Sequence, residues 1–197
     1  MPKVTEARRL AVRDRIRDAA LSEFMDKGLA TTSMADIVSA SGMSAGAIYG
    51  HFTNKAELTA EVARGVIASR VDIVADSAVA EQIPTPSALL RTLFDTMPQD
   101  VLDSGIVLQI WGAAGPSGEL RPIAQQAFST MRSVFTEYLA AWLVSQGHSR
   151  RAALARARKL APAFIGLAQG YLVHRSVLGR DLADTYLDSV QLLLADT

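Results

Sequence analysis

The sequence predicts an all-α protein, and three observations carry that expectation. No segment sustains the period-two alternation of a half-buried strand, and the Val, Ile and Thr clusters are short and lie inside helical patterns. Apolar residues recur three and four apart, the spacing that gathers them on one helix face. Turn chemistry interrupts the pattern at helix-length intervals, at Gly28, Pro84-Thr85-Pro86, Pro98, Gly112 to Gly118, Gly147 and Gly179.

The first helix is expected from about Glu6 to Lys27, with Ile16, Ala19, Ala20 and Phe24 at helical spacing and Gly28 as a left-handed end. A short helix follows, opened by Ser33 as N-cap with Asp36 three residues on, and it stops near Ala40. Ser41-Gly42-Met43 forms a turn, and Ser44 caps a second short helix that runs to about Phe52, before Thr53-Asn54 opens the next. Longer helices are then expected over roughly 55–80, 85–97, 100–113, 119–146, 149–178 and 182–195. Pro162 lies inside the penultimate pattern, so a kink or a late start is expected there. The chain divides near residue 55 into a three-helix head, 1–55, and a larger helical body, 56–197.

At 197 residues and 49% apolar composition the chain has ample material for a core. There are no cysteines, which removes disulfides, thiolate catalysis and sulfur-ligated metals and fits a reducing compartment; a cytoplasmic location is expected. The charged stretch Met1 to Arg17 has no apolar region behind it, and the longest apolar run, Leu160 to Val173, is too short for a membrane span. Basic and acidic residues cancel at twenty each, but residues 1–17 hold Lys3, Arg8, Arg9, Arg13, Arg15 and Arg17 against Glu6 and Asp14. Such an arm suits phosphate, and equally suits a solvated helix face.

Two short helices joined by a glycine-containing turn and braced by a preceding helix make a helix-turn-helix, whose second helix enters the major groove. Ile48 and Phe52 are expected to pack with Ile37, Val38 and Met43, leaving Ala45, Gly46, Tyr49 and Gly50 on the opposite face. That face is small. Glycines cost a helix about 1 kcal/mol each relative to alanine, so their use here fits close approach of the backbone to another surface. Thr32, Ser33, Ser44, Tyr49, His51 and Lys55 place hydroxyls, an imidazole and an ammonium at or beside three helix starts, where anions are favoured.

Ile16-Arg-Asp-Ala-Ala-Leu-Ser-Glu-Phe24, Gly28, Thr32-Ser-Met-Ala-Asp-Ile37, Ser41-Gly-Met-Ser-Ala-Gly-Ala-Ile-Tyr49, His51-Phe52 and Lys55-Ala-Glu-Leu58 together resemble the N-terminal domain of the TetR family of bacterial regulators. The resemblance implies a homodimer that binds palindromic double-stranded operator DNA, usually as a repressor released by a small molecule. It carries phosphate contacts over to Ser33, Ser44, Tyr49, His51 and Lys55. Ala45 stands where the family often has lysine, and Gly50 where a larger residue often precedes His51. With no Arg, Lys, Asn or Gln on the outer face, bidentate base reading is absent there. Apolar contact of Ala45 or Ala47 with thymine methyls, contacts from Tyr49 and readout of DNA shape are expected instead.

The resemblance also implies an effector cavity within the middle helices. Its expected lining is Phe94, Met97, Trp111, Met131, Phe135 and Tyr138, with Gln109, Gln126 and Gln169 orienting the ligand, although the apolar members would equally serve a plain core. Leu160, Phe164, Leu167, Tyr171 and Val177, then Leu182, Tyr186, Val190, Leu193 and Leu194, recur at helical spacing in the last two helices, an expected four-helix homodimer contact. A body that binds only a protein partner, making the chain a DNA-binding scaffold, is the alternative.

Gly42-Met-Ser-Ala-Gly46 matches the pattern of hydrolase nucleophile elbows, but no strand precedes Ser44, so no catalytic residue is expected. His51, His148 and His174 are too scattered for a metal site, and neither metal nor cofactor is expected.

Overall fold

The computed structural model describes residues 6–115 and 118–195. Within them the chain is helical: α1 (Glu6–Lys27), α2 (Met34–Ser41), α3 (Ala45–Tyr49), α4 (Lys55–Ala78), α5 (Pro86–Asp95), α6 (Gln99–Asp103), α7 (Ile106–Ala114), α8 (Arg121–Ser145), α9 (Arg150–Val173) and α10 (Arg180–Ala195).

The head forms because three apolar faces converge. Ile16, Ala20 and Phe24 of α1 are fully buried at four-residue spacing, and meet Ile37 of α2, Ile48 of α3 and Phe52 just beyond it. Val38 and Met43 pack partly buried against this group. α1 ends at Gly28, which has φ +85° and donates its N–H to Phe24 at 3.0 Å. The apolar core then continues without a break along Leu58, Val62 and Val74 of α4 into the body. A second, small core of Ala60, Ala114 and Leu120 sits between α4, α7 and the start of α8.

The body is organised on α8 and α9, packed antiparallel across a tight reversal. His148 donates its N–H to the Leu143 carbonyl at 3.1 Å and Gly147 to that of Val144 at 3.0 Å, with Gly147 at φ +91°. That pair of bonds is the Schellman closure of a helix end.

Two expected helices are divided. The segment expected over 100–113 breaks between α6 and α7 at Gly105, where φ is +63° and an added Cβ would press on Ser176 Cβ at 3.2 Å. The helix expected over 149–178 loses α geometry after Val173 and passes into a π turn, His174–Leu178, before Gly179. Pro162 does not interrupt α9 and faces outward, where its missing N–H leaves no group of the core unpaired.

The apolar stripe of the last two helices is in fact two faces. Phe164, Tyr171 and Val190 are buried within the chain, and the Tyr186 hydroxyl donates to the Leu167 carbonyl at 2.9 Å. Val177, Leu182 and Leu193 are exposed, together with Val173, Leu178 and Leu192. Helical spacing alone does not separate these faces, because α9 and α10 pack on the rest of the body along one side and leave the other open.

Candidate nucleic-acid interface

Each short helix of the head is started by its own side chain. At α2 the Ser33 hydroxyl accepts the Asp36 N–H at 3.2 Å, while Asp36 Oδ2 accepts the Ser33 N–H at 2.8 Å, a complete capping box. Lys27 reaches Asp36 at 2.8 Å and Glu23 at 2.7 Å. The ammonium and the Ser33 donors hold the Asp36 carboxyl far below the usual carboxylate range, and Asp36 and Glu23 hold Lys27 well above its ordinary value. At α3 the Ser44 hydroxyl accepts the Ala47 N–H at 3.2 Å, and the turn before it closes on Gly42 at φ +64°.

The outer face of α3 is as bare as the sequence indicates. Ser44, Ala45, Gly46, Tyr49 and Gly50 are exposed, Ala47 and His51 half-buried, and Ile48 fully buried beneath. Tyr49 is 51% exposed and is the one large side chain of this face. A Cβ on Gly46 would meet nothing within 4 Å, so no intramolecular contact requires glycine there.

Other expected contact residues are engaged within the head. Thr32 is buried, its hydroxyl donating to the Gly28 and Glu23 carbonyls at 2.9 and 3.1 Å. This departs from its expected place at the surface: the threonine closes the end of α1, and its side chain does not reach solvent. Lys55 is half-buried, donates to the Ala30 carbonyl at 3.1 Å, and has its pKa lowered by burial. The His51 ring nitrogen Nδ1 is buried without a partner among the described residues.

The basic arm is also divided. Arg13 lies 4.4 Å over the Phe52 ring, donates to the His51 carbonyl at 3.1 Å and pairs with Glu61 at 2.9 Å. It therefore braces α3 against α4, a role with no signal in the sequence because Glu61 is 48 residues away. Arg17 pairs with Asp14 and Asp18, leaving Arg8 and Arg15 exposed. Lys3 lies outside the described residues.

In the body, Phe94, Met97, Trp111, Met131, Phe135 and Gln169 are brought together around an almost wholly apolar cavity of about 80 Å³. The sequence reading missed its floor, Val66, Ile67, Val71 and Val74 of α4, although their three- and four-residue spacing is legible. Arg70 closes its edge, donating to the Leu93 carbonyl at 2.6 Å and the Thr96 hydroxyl at 2.9 Å. A larger cavity of about 510 Å³ lies on the other side of Ile67, Val71 and Trp111, widened by Ala60, Ala63, Ala68, Ala114, Ala124 and Ala127. The Trp111 ring lies 4.6 Å from that of Phe128, tilted by 40°.

Gln109 and Tyr138 line neither cavity. Gln109 lies two residues from Trp111 and hence on the opposite side of α7. Tyr138 is fully buried, donates to the Pro84 carbonyl at 2.6 Å, and has its pKa pushed up by burial. No group of three or more His, Cys, Asp or Glu able to hold a metal occurs among the described residues.

A capped helix pair on a brace, presenting one bare helix outward and sharing its core with a helical body, is a helix-turn-helix head joined to a helical body. Residues 16–62 match the sequence model for bacterial regulatory proteins of the tetR family. The chain is 29% identical over 104 residues to the regulator TtgR of Pseudomonas putida, covering 53% of this chain and 50% of that protein. It is 37% identical over 62 residues to a probable acrEF/envCD operon repressor of Escherichia coli, covering 32% of this chain and 28% of that one. The chain thus aligns with half or less of these curated relatives. A TetR transcription regulator from Haloarcula marismortui has the same fold, with a TM-score of 0.73 at 16% identity, over 95% of this chain and 98% of that one. Here the likeness extends through the body.

Proposed function

We propose that this chain is a homodimeric transcriptional repressor, held on a palindromic operator by residues 1–55 and released when a small molecule occupies residues 56–197. The observation that carries the reading is the joining of a helix-turn-helix, through one continuous core, to a body with apolar cavities of about 80 and 510 Å³. Exposed Val173, Val177, Leu178, Leu182, Leu192 and Leu193 support a homodimer through the last two helices. The operon repressor of Escherichia coli named above supports repression over activation. Ser44, Ala45, Gly46, Ala47, Tyr49, Gly50, His51 and Lys55 form the DNA face, with Ser33 at its edge.

No helix among the described residues is long and apolar enough to cross a membrane. A cytoplasmic location belongs to the proposal and is supported by the likeness of residues 16–62 to the tetR family. DNA bound through phosphates releases counterions, so affinity for duplexes selected by the chain should fall steeply with salt. Lys55→Ala should weaken binding to all duplexes alike and make that fall shallower. A salt-insensitive association would sink the reading. In a thermal-shift screen small apolar compounds should raise the melting temperature; if none does, a body that serves a protein partner is favoured.

A further inference from the structure

α7 has one face on the cavities and another on the head. Val107 and Trp111 line the smaller cavity, and Trp111 is also shared with the larger one. Gln109 is two residues from each, which turns it by about 200° to the far side of the helix. There its side-chain oxygen accepts the backbone N–H of Leu29 at 2.7 Å, across 80 residues of sequence. Its side-chain nitrogen donates to the Ser104 carbonyl at 3.2 Å, so both ends of the amide are fixed and its orientation is set by its partners.

The segment it grips is the one from which α2 departs. Gly28 holds a left-handed conformation at φ +85°, and a Cβ there would already lie 3.5 Å from the Gln109 oxygen. Thr32 fastens the far end of this segment to the Gly28 and Glu23 carbonyls, and Lys55 of α4 takes the Ala30 carbonyl between them. The turn is therefore held at two points, by Lys55 at the start of α4 and, from the body, by Gln109 on α7. Leu29 is buried, so its N–H has little access to a replacement partner in water.

We propose that Gln109 is the positioning residue that ties the orientation of α2 and α3 to the state of the cavities. The inference rests on the effector reading above and adds the element that carries it. A molecule that displaces Trp111 moves a nine-residue helix, and the Gln109 amide moves with it. The Leu29 bond then shifts or breaks, and the turn that aims α2 loses one of its two anchors. The coupling is the difference in occupant affinity between the two arrangements.

The experiment compares the full chain with Gln109→Leu, which removes the acceptor, and Gln109→Glu, which keeps an acceptor oxygen. Amide hydrogen exchange is read at Leu29, with Ile37 and Ile48 as references. Gln109→Leu should speed exchange at Leu29 about tenfold or more while the references hold, and Gln109→Glu should stay near native. Unchanged Leu29 exchange in Gln109→Leu would overturn the proposal. Affinity for duplexes selected from a random pool is then measured with and without the neutral apolar dye N-phenyl-1-naphthylamine, its occupancy followed by fluorescence. The dye should lower native affinity about tenfold, leave Gln109→Leu within twofold, and act on Gln109→Glu as on the native chain. An equal dye effect on Gln109→Leu at equal occupancy also overturns the proposal. If the dye leaves native affinity unchanged, the effector reading fails instead, and the exchange result alone decides whether Gln109 positions the turn.

Discussion

The head and the body keep their order by different means. In the head, α2 and α3 each begin on a serine whose hydroxyl accepts an N–H three residues on, and Lys27, Asp36 and Glu23 close a small charged network around the first of them. The caps and ion pairs that start these helices lie within a dozen residues of sequence. In the body, α8 packs on α9, Tyr138 reaches Pro84, and Arg91 of α5 meets Asp188 of α10 at 2.8 Å. Local closure leaves the head free to present a bare face to another molecule. Long-range closure leaves the body with space inside it.

The largest effect expected at the junction of the two regions is that of Phe52→Ala. Phe52 is fully buried, carries Arg13 over its ring, and belongs to the core shared with α4. Truncation of such a residue costs about 3–5 kcal/mol. Because the core is continuous, denaturant should unfold the variant in one transition at a lower midpoint. A head that melts separately, ahead of an undisturbed body, would break the idea that the two regions share stability.

Next comes Tyr138→Phe, confined to the body. It leaves the Pro84 carbonyl without the hydroxyl that donates to it at 2.6 Å, a loss of about 1–3 kcal/mol. Stability should fall while affinity for selected DNA at 25 °C is unchanged. A matching loss of affinity would show that this part of the body also sets the head.

The same contrast explains what was legible in the sequence. α1 stops at Lys27 as expected, and the caps at Ser33 and Ser44 and the bare face of α3 are where the residues placed them, since each depends on neighbours within a few positions. The division at Gly105 was hidden because the tight neighbour of that glycine, Ser176, is 71 residues away (176 − 105). Gln109 was read toward the cavity because a polar residue near Trp111 looks like a ligand partner. Only the position of Leu29, on the other side of α7, shows where its amide goes. Thr32 is expected at the DNA face for its chemistry, and Arg13 in an arm that suits either phosphate or solvent, yet Thr32 is held by carbonyls of α1 and its turn and Arg13 by the His51 carbonyl and Glu61.

Gly46→Ala separates stability from binding. The position is exposed and open, so alanine should stabilise α3 by roughly 0.5–1 kcal/mol. If the bareness of this face serves close approach to DNA, the same methyl should weaken affinity for selected duplexes about tenfold, near 1.4 kcal/mol. A variant that is both more stable and equally tight would remove the close-approach reading and leave Tyr49 and the capped serines to account for binding.

The smallest expected effect is the pH response of the capping network, which lies at the surface. The folded pKa of Asp36 is below its unfolded value of 3.8, because Lys27 and Ser33 favour the ionised form. Its contribution is full above about pH 4 and is lost as pH falls through and below that value. Lys27 is shifted the other way, above its unfolded 10.5, so its contribution is full below that pH and is lost as pH rises beyond it. Asp36→Asn should therefore flatten the acid limb of head stability and reduce the alkaline one, since it removes one of the two carboxylates on Lys27. The stability of the body around Tyr138 offers the control: its hydroxyl stays protonated through the acid range, and Tyr138→Phe should leave that limb unchanged. Chemical denaturation at pH 3, 7 and 10.5 reads both variants. An acid limb as steep in Asp36→Asn as in the native chain would place the origin of the pH response outside the head.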